Sequence, residues 1–165
     1  MYTLQELSTR REMPLTREWM MLLKMEKTLP VDMVGQTIYY MGPSPAREGR
    51  PIGSAGPTTA SRMDRYAPKL LDLGLTAMIG KGKRSKEVLD AVKRNGSVYF
   101  AAVGGAGALL SKCIKTSEVV AYDDLGTEAI RKLYVEDMPL VVIIDSEGNN
   151  LYEEGRAEYL KDHAE

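Results

Sequence analysis

The sequence has very little cysteine, histidine, tryptophan or phenylalanine, with one residue of each in 165. The single cysteine, Cys113, excludes an internal disulfide and any metal or iron–sulfur site that needs several thiolates from one chain. Cys113 falls in an apolar helical pattern, which favours a small buried hydrophobe over a nucleophile. The single histidine, His163, lies in a polar tail, where an exposed side chain is expected rather than a catalytic one.

The chain also lacks an excess of either charge and any long apolar run. Its net charge of -1 argues against a general affinity for nucleic acid or for a membrane surface. No apolar run approaches the length of a membrane span, and charged residues stand near the start, where a secretory signal would be apolar. We therefore expect a soluble, cytoplasmic protein, and the length predicts a single domain over residues 1–165.

One stretch combines several features of an anion site, namely residues 53–64, which read GSAGPTTASRMD. Its glycines allow tight backbone turns, its proline suits the first turn of a helix, and Thr58 and Thr59 stand where a helix cap would be. Because residues four apart share a helix face, Arg62 should point the same way as Thr58. A helix N-terminus beside a guanidinium suits a carboxylate or phosphate. Ordinary capping beside a solvated arginine is the alternative.

The rest of the chain reads as alternating strands and helices. Helices are predicted over residues 16–28, 64–74, 86–95, 108–114 and 127–134. Strands are predicted over 31–41, 76–79, 97–103, 119–122, 139–145 (buried on both faces) and, at a sheet edge, 150–153, before a polar tail over 154–165. This alternation predicts an α/β fold with parallel strands, in which ligands bind at the carboxyl ends of the strands.

Three groups of residues follow predicted strands. Lys81 lies between two glycines, where it is either a cation for an anionic ligand or a solvated turn lysine. The glycine-rich residues 104–107 either bind an anion or allow tight strand–helix packing. Asp123, Asp124 and Glu128 are either acid/base groups or acidic residues that complement a helix dipole.

Six short blocks occur in a fixed order. They are YMGP at 40–43, GSAGPTTASRMD at 53–64, GKG at 80–82, VY at 98–99 with GGA at 104–106, DLGTEA at 124–129, and Asp145 with GN at 148–149. Over residues 36 to 153 the chain thereby resembles the β subunit, or C-terminal domain, of the iron–sulfur (class I) fumarase and L(+)-tartrate dehydratase hydro-lyases. The resemblance implies a swivelling three-layer β/β/α domain with a mostly parallel central sheet.

The resemblance also implies a reaction and a partner. It implies a hydro-lyase acting on a four-carbon dicarboxylate, with fumarate/malate favoured and L-tartrate next. It implies an α subunit whose three cysteines hold a [4Fe–4S] cluster, so that this chain binds no metal alone, and either a hetero-oligomer or a homodimer of the β chain. A diverged, non-catalytic homologue that binds a dicarboxylate or a partner subunit is the alternative.

The family's functional residues fall on five positions of this chain. Thr58 matches the base that takes a proton from carbon, and Thr59 lies beside it in the substrate site. Arg62 and Lys81 match the residues that bind the two carboxylates. Arg11 falls on a further substrate arginine, although Pro14 and Leu15 replace the family's alanine and histidine there, so that residues 1–30 read as a diverged or shortened segment.

Overall fold

The computed structural model describes residues 1–4 and 29–163. The predicted helix over 16–28 and the positions of Arg11, Pro14 and Leu15 lie outside these ranges. Within them, no helix is both long enough and apolar enough to cross a membrane.

The described strands form one mixed sheet of seven, in the order β5-β6-β1-β2-β3-β4-β7. The strands are β1 (Tyr2–Leu4), β2 (Thr37–Tyr40), β3 (Ala77–Gly80), β4 (Val98–Ala101), β5 (Ile114–Ala121), β6 (Ile130–Val135) and β7 (Val141–Ile144). Strands β1 to β4 are mutually parallel. Strands β6 and β7 pair antiparallel with β1 and β4, and β5 pairs antiparallel with β6. The predicted α/β class with a parallel central sheet is thereby confirmed.

The described α-helices are α1 (Ala67–Asp72), α2 (Lys86–Asn95), α3 (Gly107–Cys113) and α4 (Leu151–Asp162). Helix α2 has the predicted bounds because both of its ends carry local signals. The Ser85 hydroxyl accepts the Val88 N–H, and Gly96 ends the helix in the left-handed region, with φ of 60°. Helix α1 begins later than predicted because Pro68 occupies its first turn.

Apolar residues pack against both faces of the sheet. Successive side chains of a strand point to opposite faces, so neighbouring residues of one strand belong to different apolar clusters. Ile38 and Tyr40 of β2 pack in a cluster with apolar residues of α1 and α2. Tyr39, between them in sequence, packs in a second cluster with Leu110 of α3 and with Ile52. All three β2 side chains are fully buried, so β2 lies at the centre of the core.

The predicted helix over 127–134 is wrong. Residues Asp123–Glu128 form a 3-10 helix, and Ile130–Val135 form strand β6. The buried residues Ile130 and Leu133 are three apart, a spacing that also fits one face of a helix. Pairing with β5 on one side and with β1 on the other makes this segment an inner strand.

Two predictions near the C-terminus are also wrong. Strand β7 lies at a sheet edge, and the side chains of Val141 and Val142 are 49% and 46% exposed, so it is not buried on both faces. The predicted strand over 150–153 is the first turn of α4. The Asn150 side chain accepts the Tyr152 N–H at 3.2 Å and caps that helix, which stops the chain from pairing further with β7.

Candidate active site

Residues 57–59 run as an extended segment along the carboxyl ends of β2 and β3. The Thr58 N–H donates to the Tyr40 carbonyl at 2.8 Å, which ties the segment to the end of β2. On the β3 side, the Lys81 N–H donates to the Thr58 carbonyl at 3.2 Å, and the Ala60 N–H donates to the Lys81 carbonyl at 2.9 Å. The structure therefore brings Thr58, Thr59 and Lys81 together, although they are distant in sequence.

The predicted helix cap is present only in its position. Thr59 is the N-cap residue of the helix that follows, with the extended backbone usual there (φ of -67° and ψ of 112°), but its side chain makes no capping hydrogen bond. The helix that follows is a 3-10 helix of four residues, Ala60–Met63. Thr58 and Arg62 therefore do not share the face of an α-helix, and the helix is too short to provide an anion site at its N-terminus. Arg62 is exposed within this short turn, while Thr58 is half-buried.

Of the two purposes left open for the glycines after β4, the structure supports tight packing at Gly107, and it places Gly104 next to Lys81. A β carbon at Gly104 would lie 3.7 Å from Lys81 Cδ and 4.0 Å from Lys81 Nζ, so the exposed lysine side chain passes over Gly104. A β carbon at Gly107 would lie 2.5 Å from Ser54 Oγ and 2.8 Å from the backbone nitrogen of Gly56. Gly107 is therefore a packing glycine, whereas Gly104 leaves room beside the ammonium group of Lys81.

The loop before Pro57 is fixed on the α3 side of the sheet. The Ala55 N–H donates to the Gly107 carbonyl at 3.0 Å, and the Tyr39 hydroxyl donates to the Ala55 carbonyl at 2.7 Å. The Ser54 N–H donates to Ser44 Oγ at 2.8 Å. Burial raises the pKa of the Tyr39 hydroxyl, so it stays a donor at neutral pH. These bonds hold the backbone that leads into Thr58.

A buried ion pair, which no pattern in the sequence indicates, lies next to the residues of the site. Arg84 Nε donates to Asp64 Oδ1 at 2.6 Å, and the Arg84 side chain has no exposed surface. The second carboxylate oxygen of Asp64 accepts the Ser85 N–H. The guanidinium carbon of Arg84 lies 5.4 Å from the ring centre of Tyr40 and 5.0 Å from that of Tyr99, within the range of cation–π contact. Asp64 lies twenty positions before Arg84, and no local spacing distinguishes Arg84 from Lys83.

The acidic candidates lie elsewhere in the sheet. Asp123 and Asp124 are exposed in the 3-10 helix that follows β5. Strands β6, β1 and β2 separate β5 from β3, so at the usual strand spacing the strand that these carboxylates follow is roughly 19 Å from the strand that Lys81 follows. Cys113 and His163 are also outside the site, at the ends of α3 and α4. Within residues 1–4 and 29–163, no three His, Cys, Asp or Glu side chains converge as a metal site would require.

Glu128, which precedes β6, is a buried carboxyl group. Its side chain is 5% exposed, and its Oε1 atom has no hydrogen-bond partner in the described part of the chain. Burial raises its pKa. The stability that the neutral carboxyl contributes is therefore present at acidic pH and is lost as the pH rises through its folded pKa.

We expect Glu128→Gln to stabilise the protein at neutral pH by on the order of 1 kcal/mol, because a neutral amide removes the buried charge. The gain should disappear near pH 3, where the wild-type carboxyl is protonated in both states. Urea unfolding across this pH range measures the difference, with Glu118→Gln, an exposed position on β5, as the control. A gain that did not depend on pH would contradict the buried-charge explanation.

These features define an α/β domain in which a half-buried threonine, Thr58, is joined through its backbone to an exposed lysine, Lys81, at the carboxyl ends of parallel strands. The family model described as Fumarase C-terminus matches residues 6–155. The chain belongs to this Fumarase C-terminus family, which confirms the resemblance stated from the sequence blocks.

Several relatives are similar over most of this chain. The aerobic class I fumarate hydratase of Escherichia coli K12 is 43% identical over 128 residues, which cover 76% of this chain and 23% of the relative. The anaerobic class I fumarate hydratase of the same strain is 42% identical over 135 residues, covering 81% of this chain and 25% of the relative. A putative L(+)-tartrate dehydratase subunit beta of Methanocaldococcus jannaschii is 38% identical over 139 residues, covering 81% of this chain and 71% of the relative. The chain thus spans about a quarter of the length of these fumarate hydratases and most of the length of the β subunit.

Proposed function

We propose that this chain is the β-type component of a hydro-lyase that reversibly hydrates and dehydrates a four-carbon dicarboxylate, with fumarate/malate favoured and L-tartrate next. The observation that carries the proposal is the backbone ladder that joins Thr58 to Lys81 and leads directly into the turn bearing Arg62. A hydroxyl beside two cations suits proton removal next to a carboxylate. The names of the relatives, fumarate hydratases and a tartrate dehydratase subunit, support the same reaction class.

In this proposal each residue has a separate role. Arg62 and Lys81 bind the two carboxylates of the substrate, since a dicarboxylate needs a cation at each end. Thr58, as its alkoxide, takes the proton from the carbon next to one carboxylate, and the hydroxyl group leaves from the neighbouring carbon as hydroxide while the double bond forms. The hydroxide takes the proton from Thr58 and becomes water, which restores the alkoxide. The two cations stabilise the negative charge that develops, and they also favour the alkoxide of Thr58. Thr59 lies beside Thr58 and contacts the substrate.

We infer that the [4Fe–4S] cluster belongs to a partner α subunit. Cluster ligation needs several cysteine thiolates, and this chain has only Cys113, so its own residues do not fit the group. A relative named as a β subunit supports such a partner. With it we propose a swivelling three-layer β/β/α domain over residues 1–165, a cytoplasmic location, a role for Arg11 at the substrate, and assembly as a hetero-oligomer or a β-chain homodimer.

The test is anaerobic co-purification of this chain with its α subunit, followed by absorbance assays of fumarate loss and then of L-tartrate dehydration. Turnover that requires both chains supports the proposal and identifies the substrate. A stable complex that contains the cluster but turns over neither compound would contradict it. That result would favour the non-catalytic alternative, for which Pro14 and Leu15 are the motivating departures.

We expect Lys81→Met to raise KM for the dicarboxylate by roughly 10- to 100-fold, because one charge-assisted hydrogen bond usually contributes that much to binding affinity. Lys83→Met, two positions away and also exposed, is the matched control and should leave KM unchanged. Initial-rate kinetics of the complete enzyme measure both variants. Equal effects of the two substitutions would show that Lys81 contributes only general surface charge.

A further inference from the structure

Three of the proposed site residues are connected to one buried side chain, that of Arg84. The Asp64 carboxylate that binds Arg84 Nε directly follows the short turn that bears Arg62. Arg84 itself belongs to the loop that begins with Lys81. Its guanidinium also lies against the ring of Tyr40, whose carbonyl accepts the Thr58 N–H. One guanidinium therefore contacts the elements that carry all three groups.

The neighbouring contacts fix the same loop. The Ser85 N–H donates to Asp64, so the carboxylate binds this loop through a side chain and through the backbone. The ring of Tyr99 in β4 lies against the guanidinium, and the Tyr99 hydroxyl donates to the Gly82 carbonyl at 3.1 Å. The loop from Lys81 to Ser85 is thus attached both to the turn that bears Arg62 and to the centre of the sheet.

The contacts of Arg84 with Asp64, Tyr40 and Tyr99 are not expected to contribute much to the stability of the fold. Among the described residues, the acceptor for Arg84 Nη1 is the thioether sulfur of Met78 at 3.4 Å, a weak acceptor. Arg84 Nη2 and the Tyr40 hydroxyl are buried and make no hydrogen bond of normal geometry in the described part of the chain, although the guanidinium and the hydroxyl interact electrostatically. A buried ion pair with unsatisfied donors is commonly no more stable than apolar packing of the same volume. A requirement for fixed geometry explains a buried arginine here better than stability does.

We propose that Arg84 is a positioning residue, which acts through Asp64, Tyr40 and the loop 81–85 to hold Arg62 and Lys81 at the spacing of a dicarboxylate and Thr58 between them. The inference rests on the proposed hydro-lyase function. It assigns Arg84 no contact with the substrate. Its effect is on the distance between the two cations and on the direction of the Thr58 hydroxyl.

Arg84→Lys is the informative variant because it keeps a cation beside Asp64. The lysine ammonium group cannot form the parallel hydrogen bonds of a planar guanidinium, and it cannot stack on the rings of Tyr40 and Tyr99. Arg84→Met would leave the Asp64 carboxylate without its cation and could prevent folding. Val92→Ala, at a buried position on α2 that makes none of the contacts described for Arg84, is the control for lost stability. Arg94→Lys, in the exposed pair with Asp72, is the control for the chemical change itself.

The first measurement is amide hydrogen exchange of the full chain. In Arg84→Lys, exchange at Thr58, Ala60 and Lys81 should accelerate by roughly tenfold or more relative to Val98, whose N–H donates to the Thr76 carbonyl at the start of β4. Val92→Ala should accelerate protected amides together, and Arg94→Lys should change none selectively. Uniform acceleration in Arg84→Lys would overturn the proposal, because it would show only a loss of global stability.

The second measurement is kinetics of the complete enzyme at a temperature where every variant is folded. Arg84→Lys should lower kcat/KM by roughly 10- to 100-fold, which is the loss expected when a group that binds the substrate is misplaced. The loss should be smaller when Lys81→Met is already present, because the two changes act on one interaction. Fully additive effects would overturn the positioning role. If the wild-type complex had no hydro-lyase activity, the proposed function would fail, while the exchange measurement would still decide whether Arg84 fixes these segments.

Discussion

Replacing Thr58 by valine is expected to lower kcat by roughly 10²- to 10⁴-fold, the contribution of a positioned proton-transfer group. Valine has nearly the shape of threonine and keeps the backbone bonds that Thr58 makes to Tyr40 and Lys81. Substrate binding should therefore change little. A second readout is the exchange of the carbon-bound proton of malate with deuterium from solvent, which should stop together with turnover.

Two further variants make the Thr58 experiment specific. Thr58→Ser keeps a hydroxyl and should keep part of the activity, because only the orienting methyl group is lost. Thr116→Val, at an exposed position on β5, is the control and should behave as wild type. Near-normal kcat in Thr58→Val, with proton exchange intact, would rule out Thr58 as the base.

Replacing Arg62 by alanine is expected to lower kcat by roughly 100-fold or more, as removal of one preorganised contact to a developing charge does in other enzymes. Arg62→Lys should recover only part of this loss, because an ammonium group cannot bind a carboxylate through two parallel hydrogen bonds. Steady-state kinetics with the complete enzyme measure both variants.

The control for Arg62 is its neighbour Arg65. Arg65 is also exposed, and its guanidinium carbon lies 5.9 Å from the ring centre of Tyr66, away from the Thr58–Lys81 ladder. Arg65→Ala should leave kcat unchanged. If Arg62→Ala and Arg65→Ala lowered kcat equally, Arg62 would act only through the general field of the surface.

The sequence predicted most reliably those features whose signals are local. Helix α2 was found with its bounds because Ser85 and Gly96 act on the residues beside them. The central strands were found because short apolar runs lie between turn residues. The apolar run before Lys81 also predicted that this lysine follows β3 directly. Because β3 is a parallel strand, Lys81 lies at the edge of the sheet where the carboxyl ends of the parallel strands meet.

The features that were mispredicted or missed from the sequence depend on contacts between distant parts of the chain. The apolar spacing of residues 127–134 fits a helix, and only pairing with β1 and β5 makes part of it strand β6. Thr59 stands at the predicted cap position, but the helix that it begins is a 3-10 helix of four residues rather than an α-helix, and the segment before it pairs with Lys81. The pairing of Arg84 with Asp64 depends on how two loops meet, so no periodicity in either loop could reveal it.

The central position of β1 has a consequence for how this domain folds. Tyr2 pairs with Ile38 on one side and with Lys132 on the other. The sheet is therefore complete only after residues that are more than a hundred positions apart in sequence have paired. Such distant pairings raise the contact order and slow folding, because the entropy of a long loop is lost before the contact forms. During synthesis, β1 to β4 would have two unpaired edges, at β1 and at β4, until β6 and then β7 leave the ribosome, and in that interval both edges are available to other strands.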